Sequence, residues 1–364
     1  MIWVHCPSLG EFEQGRTVID GLRIRFPGHV ILLTFFSPSG YEIRKNYPNA
    51  DIVTYLPFDT RGAVEKFVSM ARPELVILVK YDFWPNLLFT LEARRVPVIA
   101  ISSIFRPGQI YFRWYGELFL RSLKTIDRFF LQDEGSAKLL SDHGITGSEV
   151  TGDTRFDRVA QVVGEAQPLP EIAAFAGDHE CWVVGSAWPD DMEVIGPMIA
   201  SERPHRRFVI VPHEVDEESL RAIEQYCNGR AIRSSKWSSA EATADVLIMD
   251  RIGLLSRVYR YATYAWIGGA FGKGLHNILE AAAYGKPVFF GNRNFKKFRE
   301  ASALIAAGGA WAVADPIELE QRLQTLLPGS VHYLQACAVC RDYVRSNTGA
   351  TERIVSWCTS TLGS

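Results

Sequence analysis

Two carboxylates stand where a chain of this kind could do chemistry. Glu11 closes Ser8-Leu9-Gly10-Glu11, directly after a strand-like run at 2–6, and Asp82 lies in Tyr81-Asp82-Phe83-Trp84-Pro85-Asn86, after the apolar run 75–80. A carboxylate at the mouth of a strand can take a proton from an attacking hydroxyl, and a second one nearby can orient the acceptor. Each also has a plainer reading. Ser-x-x-Glu is a capping box, with Ser8 capping a helix and Glu11 reaching back to it. Asp82 can be the anion at the start of a helix that Pro85 opens. Position alone fits both roles, but two carboxylates at two strand ends of one sheet favour a base and its partner.

The most specific motif is Gly268-Gly269-Ala270-Phe271-Gly272-Lys273-Gly274-Leu275-His276-Asn277, followed by Ile278-Leu279-Glu280-Ala281-Ala282. It reads as a strand running into a glycine-rich loop and then a helix. Gly269, Gly272 and Gly274 permit close backbone approach, and a helix N-terminus offers N–H groups to a phosphate. A ligand-free glycine turn is the alternative. The loop lacks the Gly-Lys-Ser/Thr of a phosphate-binding P-loop, and no G-x-G-x-x-G falls in the first βα unit, which argues against an oxidoreductase. Glu280 lies about one turn beyond His276 and Asn277 on the same face, where it can accept hydrogen bonds from ribose hydroxyls. Two further groups end strands in the same half. Ser186, in Gly185-Ser186-Ala187-Trp188-Pro189, can donate to a phosphate or a sugar carboxylate. His213, in Pro212-His213-Glu214, gains interest mainly from sharing that edge, since a lone His is more often structural.

Alternating strands and helices must position these residues. Strands are predicted at 2–6, 30–36, 51–56, 75–80, 97–103, 128–132 and 149–151, apolar on both faces as buried parallel strands are. Amphipathic stretches lie between them at 11–25, 61–71, 85–95, 111–124 and 134–143. A second series follows near 181–186, 207–212, 231–234, 245–249, 264–268, 287–290 and 310–313. Residues 158–180 carry no strand signal and include Gly164, Pro168, Pro170 and Gly177, so they read as a linker. The expected division is therefore a domain at 1–157, the linker 158–180, a domain at 181–345 and a final helix at 346–364. For 364 residues two domains are the natural count. Two doubly wound α/β domains would bring two sets of strand C-terminal ends face to face across a cleft, the expected active site.

Composition limits the partners. The hydrophobic fraction of 47% and charged fraction of 22% are those of a folded globular protein. A net charge of -2 gives no bulk attraction for nucleic acid, although Lys296, Lys297 and Arg299 form a local basic patch. The six cysteines (6, 181, 227, 337, 340 and 358) are scattered, which fits a reducing compartment, and the lone pair Cys337/Cys340 reads as inert. No run approaches the ~20 apolar residues of a membrane span. No signal-peptide pattern precedes the first strand, an opening that also fits a leading segment lying outside this sequence.

Taken together, these motifs resemble those of the 3-deoxy-D-manno-octulosonic acid (Kdo) transferases. The matching stretches are Ser8 to Glu11, Thr34 to Gly40, Asp82 to Asn86, Val150 to Asp157, Gly185-Ser186, Val211 to His213 and the run from Gly268 through Glu280 to Ala283, in order over nearly the whole chain. The resemblance implies a GT-B fold, two Rossmann-like domains facing across a cleft, with the final helix crossing back to the first. It implies CMP-Kdo as donor on the C-terminal domain and a lipid A precursor as acceptor on the N-terminal one. Glu11 falls on the family's proposed general base, with Asp82 beside it. Ser8, Gly10, Ser37, Ser39 and Gly40 would serve the acceptor. The glycine loop (Gly269, Phe271, Gly272, Gly274), His276 and Asn277 would hold the CMP phosphate, with Ser186 and His213 alongside and Glu280 on the ribose. Arg155 would neutralise the Kdo carboxylate or the leaving phosphate. No metal and no cofactor are implied. The expected location is the cytoplasmic face of the bacterial inner membrane, without the family's N-terminal anchor; aromatic and basic residues at 105–124 (Phe105, Arg106, Tyr111, Phe112, Arg113, Trp114) would then help peripheral docking. Two departures stand out: Asp82 where many members have Glu, and His213 where others have Arg. A UDP-sugar 2-epimerase, another GT-B transferase and a non-catalytic GT-B binding protein are the alternatives.

Overall fold

The first apolar run forms β1 (Ile2–Cys6), and all five of its residues are buried. Alternation explains why: Ile2, Val4 and Cys6 enter one apolar layer while Trp3 enters the other. The computed structural model describes residues 1–201, 206–238 and 244–363. Six more strands join β1: β2 (Ile31–Phe35), β3 (Ile52–Tyr55), β4 (Leu75–Val79), β5 (Val98–Ser103), β6 (Arg128–Leu131) and β7 (Ser148–Val150). The sheet is parallel with order β3-β2-β1-β4-β5-β6-β7.

A second sheet contains β8 (Glu180–Ala187), β9 (Arg206–Pro212), β10 (Ala231–Arg233), β11 (Val246–Ile248), β12 (Tyr264–Ile267), β13 (Val288–Gly291) and β14 (Ala310–Val313). It is also parallel, in the order β10-β11-β9-β8-β12-β13-β14. Its core includes Trp182, Tyr264, Trp266 and Phe289, all essentially inaccessible to solvent. Burying each large apolar side chain contributes about 1.5–3 kcal/mol before the entropy of ordering is subtracted. The chain divides into one unit of Met1–Arg158 with Asn347–Ser364 and a second of Val159–Ser346.

The helix Leu9–Arg25 shows how sequence starts and stops these elements. Ser8 caps it by accepting the Gly10 N–H at 3.2 Å, Phe12, Val18, Ile19 and Leu22 form its buried side, and Arg23 and Arg25 occupy its last turn. The final helix, Ala350–Leu362, packs on it within the first unit, burying Ile354 and Cys358 in the same core.

Residues 158–180, expected as a linker without strands, are largely helical, with Thr154–Glu165 and Pro170–Ala176 occupying most of the stretch. Pro170 sits in the first helical turn, where a missing N–H costs nothing. One expectation needs correction: 111–124 is not one amphipathic helix. A 3-10 turn (Ile110–Phe112) and a short helix (Glu117–Leu123) flank a reversal at Gly116, where a Cβ would lie only 1.8 Å from the Ile110 carbonyl oxygen. Phe105 is buried within an aromatic cluster there, whereas Trp114 is 93% exposed.

Candidate functional site

In an open parallel sheet, ligands bind beyond the strand C-termini at the point where strand order reverses. That point lies between β1 and β4 in the first unit and between β8 and β12 in the second. The segments leaving β1, β4 and β12 carry Glu11, Asp82 and the glycine-rich loop, and Ser186 is the penultimate residue of β8, so topology and motif agree within each unit.

In the first unit the Glu11 carboxylate accepts a hydrogen bond from the Ser8 hydroxyl and pairs with the Lys80 ammonium at 3.5 Å. Ser8 does cap the helix, but Glu11 returns to the Ser8 side chain and to a lysine from the neighbouring strand end. Lys80 holds a left-handed backbone conformation (φ 68°), uncommon for a side chain of this size. Asp82 is not the anion of the helix Pro85–Ala93. Asp59 fills that role, with one carboxylate oxygen on the Asn86 N–H at 3.0 Å and the other on Leu87 N–H at 2.9 Å. Asp82 instead meets the buried His5, whose Nε2 lies 3.3 Å from Asp82 Oδ2.

Beside β1, Ser37 caps the helix Pro38–Arg44 by accepting the Ser39 N–H, and the two hydroxyls lie 2.9 Å apart. Gly10 and Ser39 are exposed. Gly40 is buried, and a Cβ there would fall 2.2 Å from the Phe35 ring, so its lack of a side chain serves packing. Arg155 belongs to the first unit, whereas the other expected donor residues belong to the second, and its Nε donates to Asp153 at 2.9 Å. Asp153 also accepts from the buried Gln14 amide at 3.1 Å.

In the second unit a buried acid organises the loop. Asp191 accepts the N–H of Gly269 and of Trp188, both at 3.0 Å, and the Trp266 indole N–H at 3.1 Å. Burial raises its pKa to about 6 against the pull of those three donors. Gly269 adopts φ 91°, and a Cβ there would sit 2.5 Å from the Gly274 carbonyl oxygen. Gly274 is left-handed as well, at φ 121°. Phe271 stacks on Trp266 at 6.2 Å, with the Arg293 guanidinium over its ring at 5.6 Å.

Trp188 stacks on His213 at 4.4 Å, and His213 lies 4.5 Å from His276. Ser186, in a left-handed conformation (φ 52°), shares with His213 an open depression of about 480 Å³ that Arg251 and Leu255 also line. Gly269, Phe271 and Gly272 line a second recess of about 180 Å³ with Trp188, Asp190 and Lys273. The helix after the loop is only Leu279–Ala283, and Asn277 Oδ1 already accepts the Leu279 N–H at 3.1 Å. The Asn277 amide donates to Glu280 at 3.2 Å, joining the phosphate and ribose candidates.

Sequence reasoning missed His5, Lys80, Asp59, Trp188 and Asp191 as parts of these sites. Lys80 directly precedes the Asp82 tract, and Asp191 follows Trp188-Pro189 at capping-box spacing, so both left a local signal. His5 and Asp59 left none, because their partners are 77 and 27 residues away in sequence.

Comparison with known proteins agrees with these observations. Residues 1–158 match the family described as 3-deoxy-D-manno-octulosonic-acid transferase (kdotransferase). The chain is 27% identical over 386 aligned positions to the 3-deoxy-D-manno-octulosonic acid transferase of Bordetella pertussis, covering 100% of this chain and 87% of that one. It is 25% identical to the protein of the same name from Aquifex aeolicus, covering 90% and 86%. Among solved structures, the UDP-GlcNAc 2-epimerase of Neisseria meningitidis bound to UDP-GlcNAc superposes with a TM-score of 0.69 at 16% identity, over 99% of each chain. That likeness concerns the fold alone and is of the GT-B type.

Proposed function

We propose that this chain, whose first 158 residues match the Kdo-transferase family and whose whole length is similar to known Kdo transferases, is an inverting glycosyltransferase that moves Kdo from CMP-Kdo to a lipid A precursor in lipopolysaccharide biosynthesis. The observation that carries this reading is Glu11 at the switch point of the first sheet, oriented by Ser8 and Lys80. Glu11 takes the proton of the acceptor hydroxyl as its oxygen bonds to the anomeric carbon of Kdo. The bond from that carbon to the CMP phosphate oxygen breaks on the opposite side, and CMP departs with inversion. Asp82 orients the acceptor, which Ser8, Gly10, Ser37 and Ser39 contact, while Gly40 supports that wall through Phe35.

On the donor side, Gly269, Phe271, Gly272 and Gly274 receive the phosphate with Ser186, His213, His276 and Asn277, and Glu280 takes the ribose. Arg155, held by Asp153, is assigned to neutralising the Kdo carboxylate or the leaving phosphate. The scheme calls for no metal ion or cofactor. Contact with the membrane that holds the acceptor, at its cytoplasmic face, runs through the exposed Trp114, Tyr115 and Leu118 beside Arg106 and Arg113. No helix among the described residues is long and apolar enough to cross a membrane.

The test is CMP release from CMP-Kdo with a tetraacylated lipid A precursor, with UDP-GlcNAc as control donor. Turnover by the wild type, lost in Glu11→Ala while CMP-Kdo still binds, supports the reading. Full activity in Glu11→Ala returns Glu11 to helix capping. Turnover of UDP-GlcNAc alone replaces the proposed donor.

A further inference from the structure

Behind the site in the first unit lies a line of four hydrogen-bonded side chains, three of them buried on the sheet and the fourth, Asp82, beyond the end of β4. The Trp3 indole nitrogen is 2.8 Å from Thr34 Oγ1, which is 2.9 Å from His5 Nδ1, and His5 Nε2 is 3.3 Å from Asp82 Oδ2. The sheet register creates the line. Trp3 and His5 point to the same face of β1, and Thr34 is the direct partner of His5 on β2. His5 and Thr34 are fully buried, whereas the Asp82 side chain is 24% exposed.

Proton bookkeeping gives the line a direction. An indole N–H can only donate, so Thr34 Oγ1 accepts from Trp3. Thr34 has one hydroxyl proton and needs an acceptor for it in this buried place, and His5 Nδ1 is the acceptor within reach. With Nδ1 accepting, a neutral His5 carries its proton on Nε2, where it donates to Asp82. The opposite tautomer would leave the Thr34 proton unused and set the Nε2 lone pair against a carboxylate oxygen. A doubly protonated ring would turn Nδ1–H toward Thr34 Oγ1 and again leave the Thr34 proton without its acceptor. Only one arrangement uses each proton once.

We propose that His5, fixed as the neutral Nε2–H tautomer by Trp3 and Thr34, is a positioning residue that holds Asp82 as an oriented, acceptor-only carboxylate. The consequence for the reaction rests on the function proposed above. Asp82 accepts a hydrogen bond from the incoming acceptor, which keeps that substrate's hydroxyl aimed at Glu11, and Asp82 does not donate a proton. His5 touches neither substrate.

Two measurements on the full chain test this. The first is 15N NMR of the histidine side chains at neutral pH, with His5 assigned by its loss in His5→Gln. The expected spectrum shows Nδ1 unprotonated and Nε2 protonated, and Thr34→Val releases the ring into a mixture of tautomers. An Nδ1–H ring or an imidazolium in the wild type overturns the proposal. This arm needs no substrate, so it stands or falls apart from the assigned activity.

The second compares His5→Phe, which removes both ring nitrogens, with His5→Gln, whose amide can still donate to Asp82. With CMP-Kdo and the lipid A precursor, His5→Phe is expected to lower kcat by about tenfold to a hundredfold, the scale of a small misplacement of a reacting group. CMP-Kdo affinity stays at the wild-type value, and His5→Gln recovers most of the loss. A folded His5→Phe with unchanged kcat overturns the proposal, as does a folded His5→Gln as slow as His5→Phe. If the wild type turns over neither donor, the function assignment fails while the NMR arm still decides the role of His5.

Discussion

Trp188 donates its indole N–H to Nε2 of His276 at 3.1 Å. An indole cannot accept, so this bond requires a bare Nε2 and a neutral ring. Burial, aided by the nearby His213, lowers the His276 pKa from 6.5 to about 4. Because the folded value lies below the unfolded one, the stabilising effect is complete above pH 6.5 and is lost as pH falls toward 4. Asp191 has the opposite sign. Its pKa is raised from 3.8 to about 6, so its contribution is complete below 3.8 and is lost as pH rises through 6. Proton NMR of the unliganded protein should show His276 titrating near pH 4. His276→Gln should remove the histidine slope from melting temperature against pH, leaving that of Asp191. A midpoint near 6.5 would show that Trp188 does not hold the ring neutral.

Replacing Asp191 by Asn separates charge from shape. Its carboxylate takes three N–H donors, whereas an amide has one oxygen and turns its own NH₂ toward a donor. Asp191→Asn should lower unfolding stability by about 1–3 kcal/mol. It should also weaken CMP-Kdo binding, because the Gly269 and Trp188 backbones lose their shared anchor. Denaturant melts and calorimetric titration check the two parts.

Gly269→Ala and Gly272→Ala make a matched pair in one loop. Gly269 has φ 91° and no room for a Cβ, whereas Gly272 is exposed and its Cβ would approach only the Asp190 carboxylate, at 3.2 Å. Gly269→Ala should cost about 1–2 kcal/mol in backbone strain alone and abolish measurable donor binding. Gly272→Ala should bind CMP-Kdo within a few-fold of wild type. Equal affinities would remove the loop from the donor site.

Lys80 combines an ion pair with a left-handed backbone. Lys80→Met and Lys80→Gly should both slow transfer, because each leaves Glu11 without its ammonium partner. Lys80→Gly should nevertheless be about 1 kcal/mol more stable than Lys80→Met, since glycine relieves the backbone conformation. Full turnover in Lys80→Met would make the pair a surface contact.

The Trp114/Tyr115 prominence gives a separable prediction. Trp114 is 93% and Tyr115 60% exposed, so replacing both by Ala should leave the melting temperature unchanged. Sedimentation with vesicles containing anionic phospholipid should fall, while CMP-Kdo affinity stays constant. Undiminished sedimentation would move the membrane contact elsewhere.

The parallel strands were legible because buried strands leave continuous apolar runs: β1 and β4 show theirs plainly in Ile2–Cys6 and Leu75–Val79. The Ser8, Ser186 and Gly268 motifs were legible because each is contiguous and stands at a strand end. What escaped depends on pairing between distant segments. The bond between His5 and Asp82 exists only after β1 and β4 become neighbours, and Asp59 caps a helix that begins 26 residues further on, at Pro85. In the stretch 158–180 the sequence showed only a missing strand signal; Pro170, one of the residues noted there, starts a helix of seven residues, too short for hydrophobic periodicity to reveal.

Asp157 accepts the backbone N–H of Gly349 at 2.6 Å and of Thr351 at 2.7 Å, fastening the end of the chain to its first half. The unit that begins first on the ribosome is therefore finished last. Until Ala350–Leu362 emerges, the strip of Leu9–Arg25 that receives Ile354 and Cys358 has no cover, although the second unit is already complete in sequence. Synthesis order thus couples assembly of the Glu11 side to delivery of Ala350–Leu362, and a chain cut between Ser346 and Ala350 has a whole second unit and a first unit without that helix.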